Sequence, residues 1–352
     1  MRPIAEAYKD FPILHKEHNG HRVIYLDSGA TAQIPQSVID RVVEHMTQRN
    51  GNPHRGSHIL AIEASEDYEN ARDRVVEFIN AREREEVIFT RNSTESMNLI
   101  AHSYGLHNVK KGDKIVITVA EHHANLVTWQ YVAEQTGATL EYMYLDEHGH
   151  LKDGEINKID EKTKIVAFAH VSNVLGMEFP VKELTEKAHS VGAIVVLDGA
   201  QSTPHKKIDV QALDCDFFVF SGHKMCASQG IGVLYGKRDL LETMPPFLLG
   251  GDMIEYVKEQ TATFNELPYK FEAGTPNADG AVSLHAAIDY LESFGMDAIE
   301  AYEEELVAYI LPKIVELPHV HVIGSQNPKE KHGVIAFTVD DVRSEEHTSE
   351  LQ

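Results

Sequence analysis

Between residues 86 and 236 the chain repeats one pattern, a short apolar run rich in β-branched residues followed by a longer segment with helical spacing. The runs cover Val87–Thr90 and residues 114–119, 140–145, 164–169, 193–197, 217–220 and 232–235. Strands that read as continuously apolar are covered on both faces, and their alternation with helices marks βαβ units around a mostly parallel sheet. The predicted fold class is therefore α/β, with the sheet in a large domain and a smaller α+β domain after it. Residues 59–80 read as an amphipathic helix ahead of the sheet. Stretches rich in Gly and Pro at 245–251 and 267–280 mark loops. Two helical segments (281–294 and 297–316) and two strand-like runs (320–323 and 334–339) follow. The expected boundaries are an N-terminal segment 1–15 packing with the small domain, a large domain over 16–280 and a small domain over 281–342.

Composition narrows the partners. Lys and Arg number 32 against 55 Asp and Glu, a net charge of −23 with histidine neutral. A surface that negative repels phosphate backbones and anionic lipid, which argues against nucleic acid and membrane as partners. No run of about 18 apolar residues and no secretory-type start is present, so the expected compartment is the cytoplasm. The two cysteines, Cys215 and Cys226, make neither a disulfide framework nor a four-ligand zinc pattern. The pairs His148/His150 and His319/His321 have no carboxylate or thiol set at useful spacing, and no metal is expected.

The chemistry is concentrated where strands stop, which is where ligands gather in an open α/β sheet. The run 193–197 stops at Asp198, with Gly199, Ala200 and Gln201 behind it. The run 217–220 stops at Ser221, Gly222, His223 and Lys224. Residues 164–169 lead into His170, Val171, Ser172 and Asn173, and Val87–Thr90 leads into Asn92, Ser93, Thr94, Glu95 and Ser96 at the start of a helix. Singly, each has an ordinary reading: Asp198 caps a helix, Lys224 is a solvated loop lysine, and Ser93 with Ser96 forms an N-cap. Together they meet the needs of one cofactor, pyridoxal 5'-phosphate. It takes a lysine amine for its aldehyde, a carboxylate for its ring nitrogen, and hydroxyls with N–H groups at a helix N-terminus for its phosphate. Lys224, Asp198, Ser93 and Thr94 supply these, with Ser221 and His223 as further donors.

Other strings add to this set: Tyr25-Leu26-Asp27-Ser28-Gly29-Ala30-Thr31-Ala32, His54-Arg55-Gly56, Glu121-His122-His123-Ala124-Asn125, His170 to Gly176, and Phe271-Glu272-Ala273-Gly274-Thr275-Pro276. In these strings and the strand ends the chain closely resembles the SufS-like (type II) cysteine desulfurases, within the class V aminotransferase group of fold-type I pyridoxal-phosphate enzymes. The resemblance implies that Lys224 carries the cofactor as a Schiff base and moves the α-proton, that Asp198 pairs with the ring nitrogen, and that Gln201 bonds the ring hydroxyl oxygen. His122 is implied to stack on the ring, and Ser93, Thr94, Ser221 and His223 to hold the phosphate. Asn173 would lie near the substrate carboxylate, with Arg55 as a further substrate or dimer-interface candidate. Gly274 and Thr275 would reach the phosphate of a partner subunit, which implies a homodimer. The implied substrate is L-cysteine or selenocysteine, and the implied acceptor of sulfur for iron–sulfur cluster assembly is a protein of SufU or SufE type.

The same resemblance sets an expectation for the end of the chain. In that family the thiol that takes the sulfur and the arginine that binds the substrate carboxylate lie beyond the strand holding Gly333-Val334-Ile335-Ala336-Phe337. Residues 343–352 match nothing in the family and match the translation of a common sequencing-adapter oligonucleotide. The expectation is a C-terminally truncated chain with a non-native tail, an incomplete small domain and impaired desulfurase activity. Cys215 and Cys226 read as packing residues. A selenocysteine-lyase-like or aminotransferase-type enzyme and a non-catalytic partner subunit stay open as alternatives. Ala227-Ser228-Gln229-Gly230 stands where the family shows Gly-Pro-Thr-Gly, which predicts an altered turn beside the cofactor.

Overall fold

The structure is a computed structural model that describes residues 3–343; residues 344–352 of the expected non-native tail lie outside the described residues. Seven strands make the central sheet: β1 (Val87–Thr90), β2 (Lys114–Thr118), β3 (Thr139–Met143), β4 (Thr163–Ala169), β5 (Ile194–Asp198), β6 (Phe217–Ser221) and β7 (Gly232–Gly236). Their order is β1-β7-β6-β5-β4-β2-β3. Only β7 runs against its neighbours, β1 and β6, so all the others finish on one edge.

Successive residues along a strand point to opposite faces, and here both faces are covered. Ile88, Ile115, Ile117, Val196, Phe217 and Val219 pack with Met97 and Trp129 on one side. Val87, Phe89, Val116, Val195, Leu197, Phe218 and Phe220 pack on the other side, against α1 (Ile59–Ile79). Helix α1 is capped by the His58 side chain, which accepts the Ala61 N–H, and ends where Asn80 turns left-handed at φ 54°. Helices α2 (Ser93–Ile100), α3 (Val127–Thr136) and α4 (Val181–Ser190) lie between strands.

Helix α5 (Ala278–Phe294) spans the boundary expected at residue 280. Its Ala281, Leu284, Ala287, Ile288 and Leu291 join Tyr68, Val75 and Phe78 of α1 in the core under the sheet. The apolar spacing of 281–294 marks a buried face without saying which body buries it. The N-terminal segment packs on α5 as well: Phe11 meets the Tyr290 ring edge-on at 5.8 Å and Tyr290 Oη donates to Asp10 at 2.9 Å. Beyond α6 (Met296–Val315), β8 (Val320–Val322) pairs antiparallel with β9 (Phe337–Val339). The strand expected at 334–339 is thus half as long. Val334 leaves it because His332 N–H is held by Gly176 O at 2.7 Å, which turns this stretch toward the sheet edge.

One buried charge ties α1 to the loop after residue 268. Arg72, with no exposed surface, is gripped by Glu272 through two bonds of 2.7 and 2.9 Å. Glu272 also accepts Tyr68 Oη at 2.8 Å and Phe89 N–H at 2.7 Å. Arg72 keeps a second partner in Glu69, at 3.0 and 3.3 Å, so removing Glu272 leaves the buried guanidinium only partly compensated, at a cost of about 3 kcal/mol, the low end for a broken buried pair. We predict that Glu272→Ala lowers unfolding stability by about that amount in urea titration, whereas a loss under about 1 kcal/mol, the scale of a surface pair, would contradict it.

Candidate active site

The strand ends meet in one cavity of about 650 Å³, lined by Asn92, Ser93, Thr94, His122, Asn173, Asp198, Gln201, Ser221, His223 and Lys224. Two glycines make the meeting possible by close approach. A Cβ on Gly199 would lie 2.0 Å from the Phe218 ring, so Asp198 can turn off its strand only if the next residue is glycine. A Cβ on Gly232, the register partner of both Thr90 and Ser221, would lie 2.5 Å from Asn92. Without it, the start of α2 settles against β6, and Ser93 N–H donates to Ser221 Oγ at 2.8 Å.

Helix α2 starts one residue earlier than the serine pair suggests. Asn92, not Ser93, is its cap, accepting Glu95 N–H at 2.9 Å. Ser93 and Ser221 bond each other at 2.9 Å, which puts two hydroxyls at the helix N-terminus beside Thr94. Unpaired N–H groups and the helix dipole favour an anion there. His223 is fixed beside them by Thr31, whose Oγ1 lies 3.2 Å from Nδ1. Burial, with the Lys224 charge adding to it, holds His223 below an ordinary imidazole.

Opposite charges face each other on the other side of the cavity. Asp198 is 6 % exposed, and one of its oxygens accepts Ala200 N–H at 3.0 Å. Burial pushes its carboxyl up, while the Ala200 bond, Lys224 and His122 pull it back. Burial pushes the Lys224 amine down, and Asp198 opposes the shift. A lysine lowered this way is a better nucleophile near neutral pH. His122 is also pushed down by burial, with Asp198 opposing and Lys224 and His123 adding. Its Nδ1 accepts Ala124 N–H at 3.1 Å, so the neutral ring carries its proton on Nε2. Gln201 donates to Gly29 O at 2.8 Å, which leaves its amide oxygen free to accept.

The donor set fits a group with an aldehyde, a basic ring nitrogen, a ring hydroxyl and a dianion: amine, carboxylate, amide and helix N-terminus each have one counterpart. Three predicted residues lie elsewhere in the chain. Arg55 forms an ion pair with Asp252 and does not line the cavity, and Thr275 lines a different hollow with Tyr68, Phe89 and Glu272, with Gly274 beside it in sequence. Sequence reasoning missed Asn92, Thr31 and the stretch Gly333–Ile335, which forms part of the cavity wall. Neither cysteine lines the cavity. Cys215 is fully buried, and burial pushes both thiols up, that of Cys226 to about 12. The divergent turn is held by Ser228, whose N–H and hydroxyl both bond Ser283 Oγ, at 3.1 and 2.7 Å.

Comparison with known proteins agrees with this geometry. The aminotransferase class-V family matches residues 24–352. A probable cysteine desulfurase of Halalkalibacterium halodurans is 51 % identical over 338 residues, covering 96 % of this chain and 82 % of the relative. The cysteine desulfurase of Haloferax volcanii is 45 % identical over 357 residues, 97 % of this chain and 83 % of the relative. The apo structure of the cysteine desulfurase of Thermococcus onnurineus superposes with a TM-score of 0.92 at 38 % identity, covering 100 % of this chain and 86 % of that one. The chain belongs to the class-V aminotransferase family, among its cysteine desulfurases. In this desulfurase-family chain Asp198 is the charge that holds the Lys224 amine up against burial. We predict that Asp198→Asn lowers the Lys224 titration further and raises its reactivity toward an amine reagent at neutral pH; slower labelling of Lys224 in the variant would contradict this.

Proposed function

We propose that this chain is a cytoplasmic, SufS-like cysteine desulfurase that uses pyridoxal 5'-phosphate, works as a homodimer, and converts L-cysteine to L-alanine while passing the sulfur to an acceptor thiol for iron–sulfur cluster assembly. The observation that carries this reading is the meeting of the Asp198 carboxylate, the Lys224 amine and the start of α2 in one cavity. Thr94, Ser93, Ser221 and His223 would hold the phosphate, Asp198 the ring nitrogen, Gln201 the ring hydroxyl, and Lys224 the aldehyde. When bound, that group draws electrons away from the substrate's α-carbon and so loosens the bond from its β-carbon to sulfur.

The chain's own residues do the rest. Asp198, kept in a dry place, holds the ring-nitrogen proton by charge. His122 covers the ring and offers its Nε2 proton, while Asn173 meets the substrate carboxylate. Lys224 would take the proton from the substrate's Cα and return one to the carbon that sulfur leaves. The sum balances: L-cysteine and an acceptor thiol give L-alanine and the acceptor persulfide. Neither Cys215 nor Cys226 supports the acceptor role, since Cys215 is buried, Cys226 is half-buried, and both are pushed toward the thiol form. In this reading an enzyme thiol takes the sulfur as a persulfide and passes it on to an acceptor protein of SufU or SufE type. The homodimer reading is supported by exposed apolar residues, among them Leu249, Tyr256 and Val257 on the loop and strand after residue 247. No helix among the described residues is long and apolar enough to cross a membrane.

Borohydride reduction after incubation with pyridoxal phosphate tests the core of the reading. It is expected to attach the cofactor irreversibly to the Lys224 peptide of the wild type and to no peptide of Lys224→Ala. Labelling spread over surface lysines in both proteins would overturn it.

A further inference from the structure

The Glu121-His122-His123-Ala124-Asn125 string contains a residue that neither the cofactor reading nor the cavity accounts for. Glu121 does not line the cavity, yet it is buried between β2 and β4. Its Oε1 accepts Thr118 Oγ1 at 2.5 Å, and Thr118 is the last residue of β2. Its Oε2 accepts Asn125 Nδ2 at 2.7 Å, and Asn125 Oδ1 accepts the indole N–H of Trp129 at 2.7 Å. The backbone of Ala169, the register partner of Asp198, lies close enough to act on the Glu121 carboxyl. Trp129 is the chain's only tryptophan and is fully buried in the core of the opposite face. The turn carrying His122 is thus fastened at its start to β2 and at its end to the core. Only the His122 ring projects from this clamp toward the cavity, on its Ala124 bond.

We propose that Glu121 is the positioning residue of His122: by joining Thr118 and Asn125 it fixes the turn on which the imidazole is presented to the cavity. A solvated glutamate would gain nothing from this place. Burial raises the Glu121 carboxyl to about 8, with the nearby Asp198 charge adding to the shift. The site therefore tolerates a neutral group, and what it uses is the carboxyl's shape and hydrogen bonds rather than its charge. Glutamine supplies the same shape, with an oxygen for Asn125 and an N–H that the Thr118 hydroxyl can accept.

The claim depends on the proposed function only for what His122 does with the cofactor, so the test has one arm without cofactor and one with it. In the first, the His122 ring is titrated by NMR in the cofactor-free protein. The groups facing it are Asp198 from β5, Lys224 after β6 and His123 on its own turn. The wild type is expected to titrate below an ordinary imidazole, Glu121→Ala to move up toward one as the ring loses its buried seat, and Glu121→Gln to match the wild type. An unmoved titration in Glu121→Ala, or a Gln variant that behaves like Ala, overturns the proposal. Thr118→Val, which removes one of the two bonds, takes the place of Glu121→Ala if that variant does not fold.

The second arm measures pyridoxal phosphate affinity by quenching of Trp129. Glu121→Ala is expected to weaken binding by about fivefold to tenfold, the scale of a lost ring-stacking contact. In a His122→Ala background the same change is expected to have less than about a twofold effect, because its route to the cofactor is gone. Equal losses in both backgrounds would mean a general structural role and overturn the proposal. A wild type that does not bind the cofactor would refute the proposed function, and the NMR arm would still decide the role of Glu121.

Discussion

Asp198 and Lys224 stand at the ends of neighbouring strands, a carboxylate and an amine of opposite charge facing one cavity. Each is disfavoured there by lost hydration, and each makes the other's charge less costly. In water such a pair would contribute little. At the edge of a sheet covered on both faces it gives a lysine that is readily deprotonated and a carboxylate with one oxygen held by a backbone N–H. The other groups of the cavity gain their use from that pair, because a ligand that binds both is oriented before it touches the phosphate site.

The frame holds this pair by packing rather than by further charge. Alternate residues of β1 to β7 fill two separate apolar cores, so a shift of register by one residue would exchange the cores and expose neither. The strand ends are therefore fixed by their turns, and Gly199 and Gly232 allow those turns where any Cβ would collide. The Arg72–Glu272 pair fastens α1 to the loop that contains Gly274 and Thr275. Val334 closes the cavity wall from the far side, held by the Gly176 carbonyl through His332.

Much of this was legible in the residues. Strand ends carry chemistry in open α/β sheets, and Asp198, Lys224, His223 and Ser93 were each found by looking there. What was not legible depends on contacts distant in sequence. Asn92 and Ser93 are both good caps, and the choice between them depends on how closely β7 lets α2 approach. Residues 281–294 announce a buried face, but only the tertiary packing against α1 shows that it belongs to the sheet's own core. Val334 sits in a β-branched run, yet the bond at Gly176 outweighs its strand propensity. Arg55 reads on its motif as a substrate or dimer-interface residue, and the pair it makes with Asp252 within this chain has no counterpart in the motif. Glu121 lay within a quoted string but carried no signal of its own. Its role rests on a threonine three residues before it and an asparagine four after it, a pattern that means little until a turn brings them together.

The central claim is that Asp198 supplies the charge that keeps a bound ring nitrogen protonated in this cavity. Nitrogen-15 NMR of ring-labelled pyridoxal phosphate bound to the protein reads that proton directly. The account predicts a protonated ring nitrogen in the wild type at neutral pH and its loss in Asp198→Ala. An unprotonated nitrogen in the wild type, or one indifferent to the loss of Asp198, would contradict it.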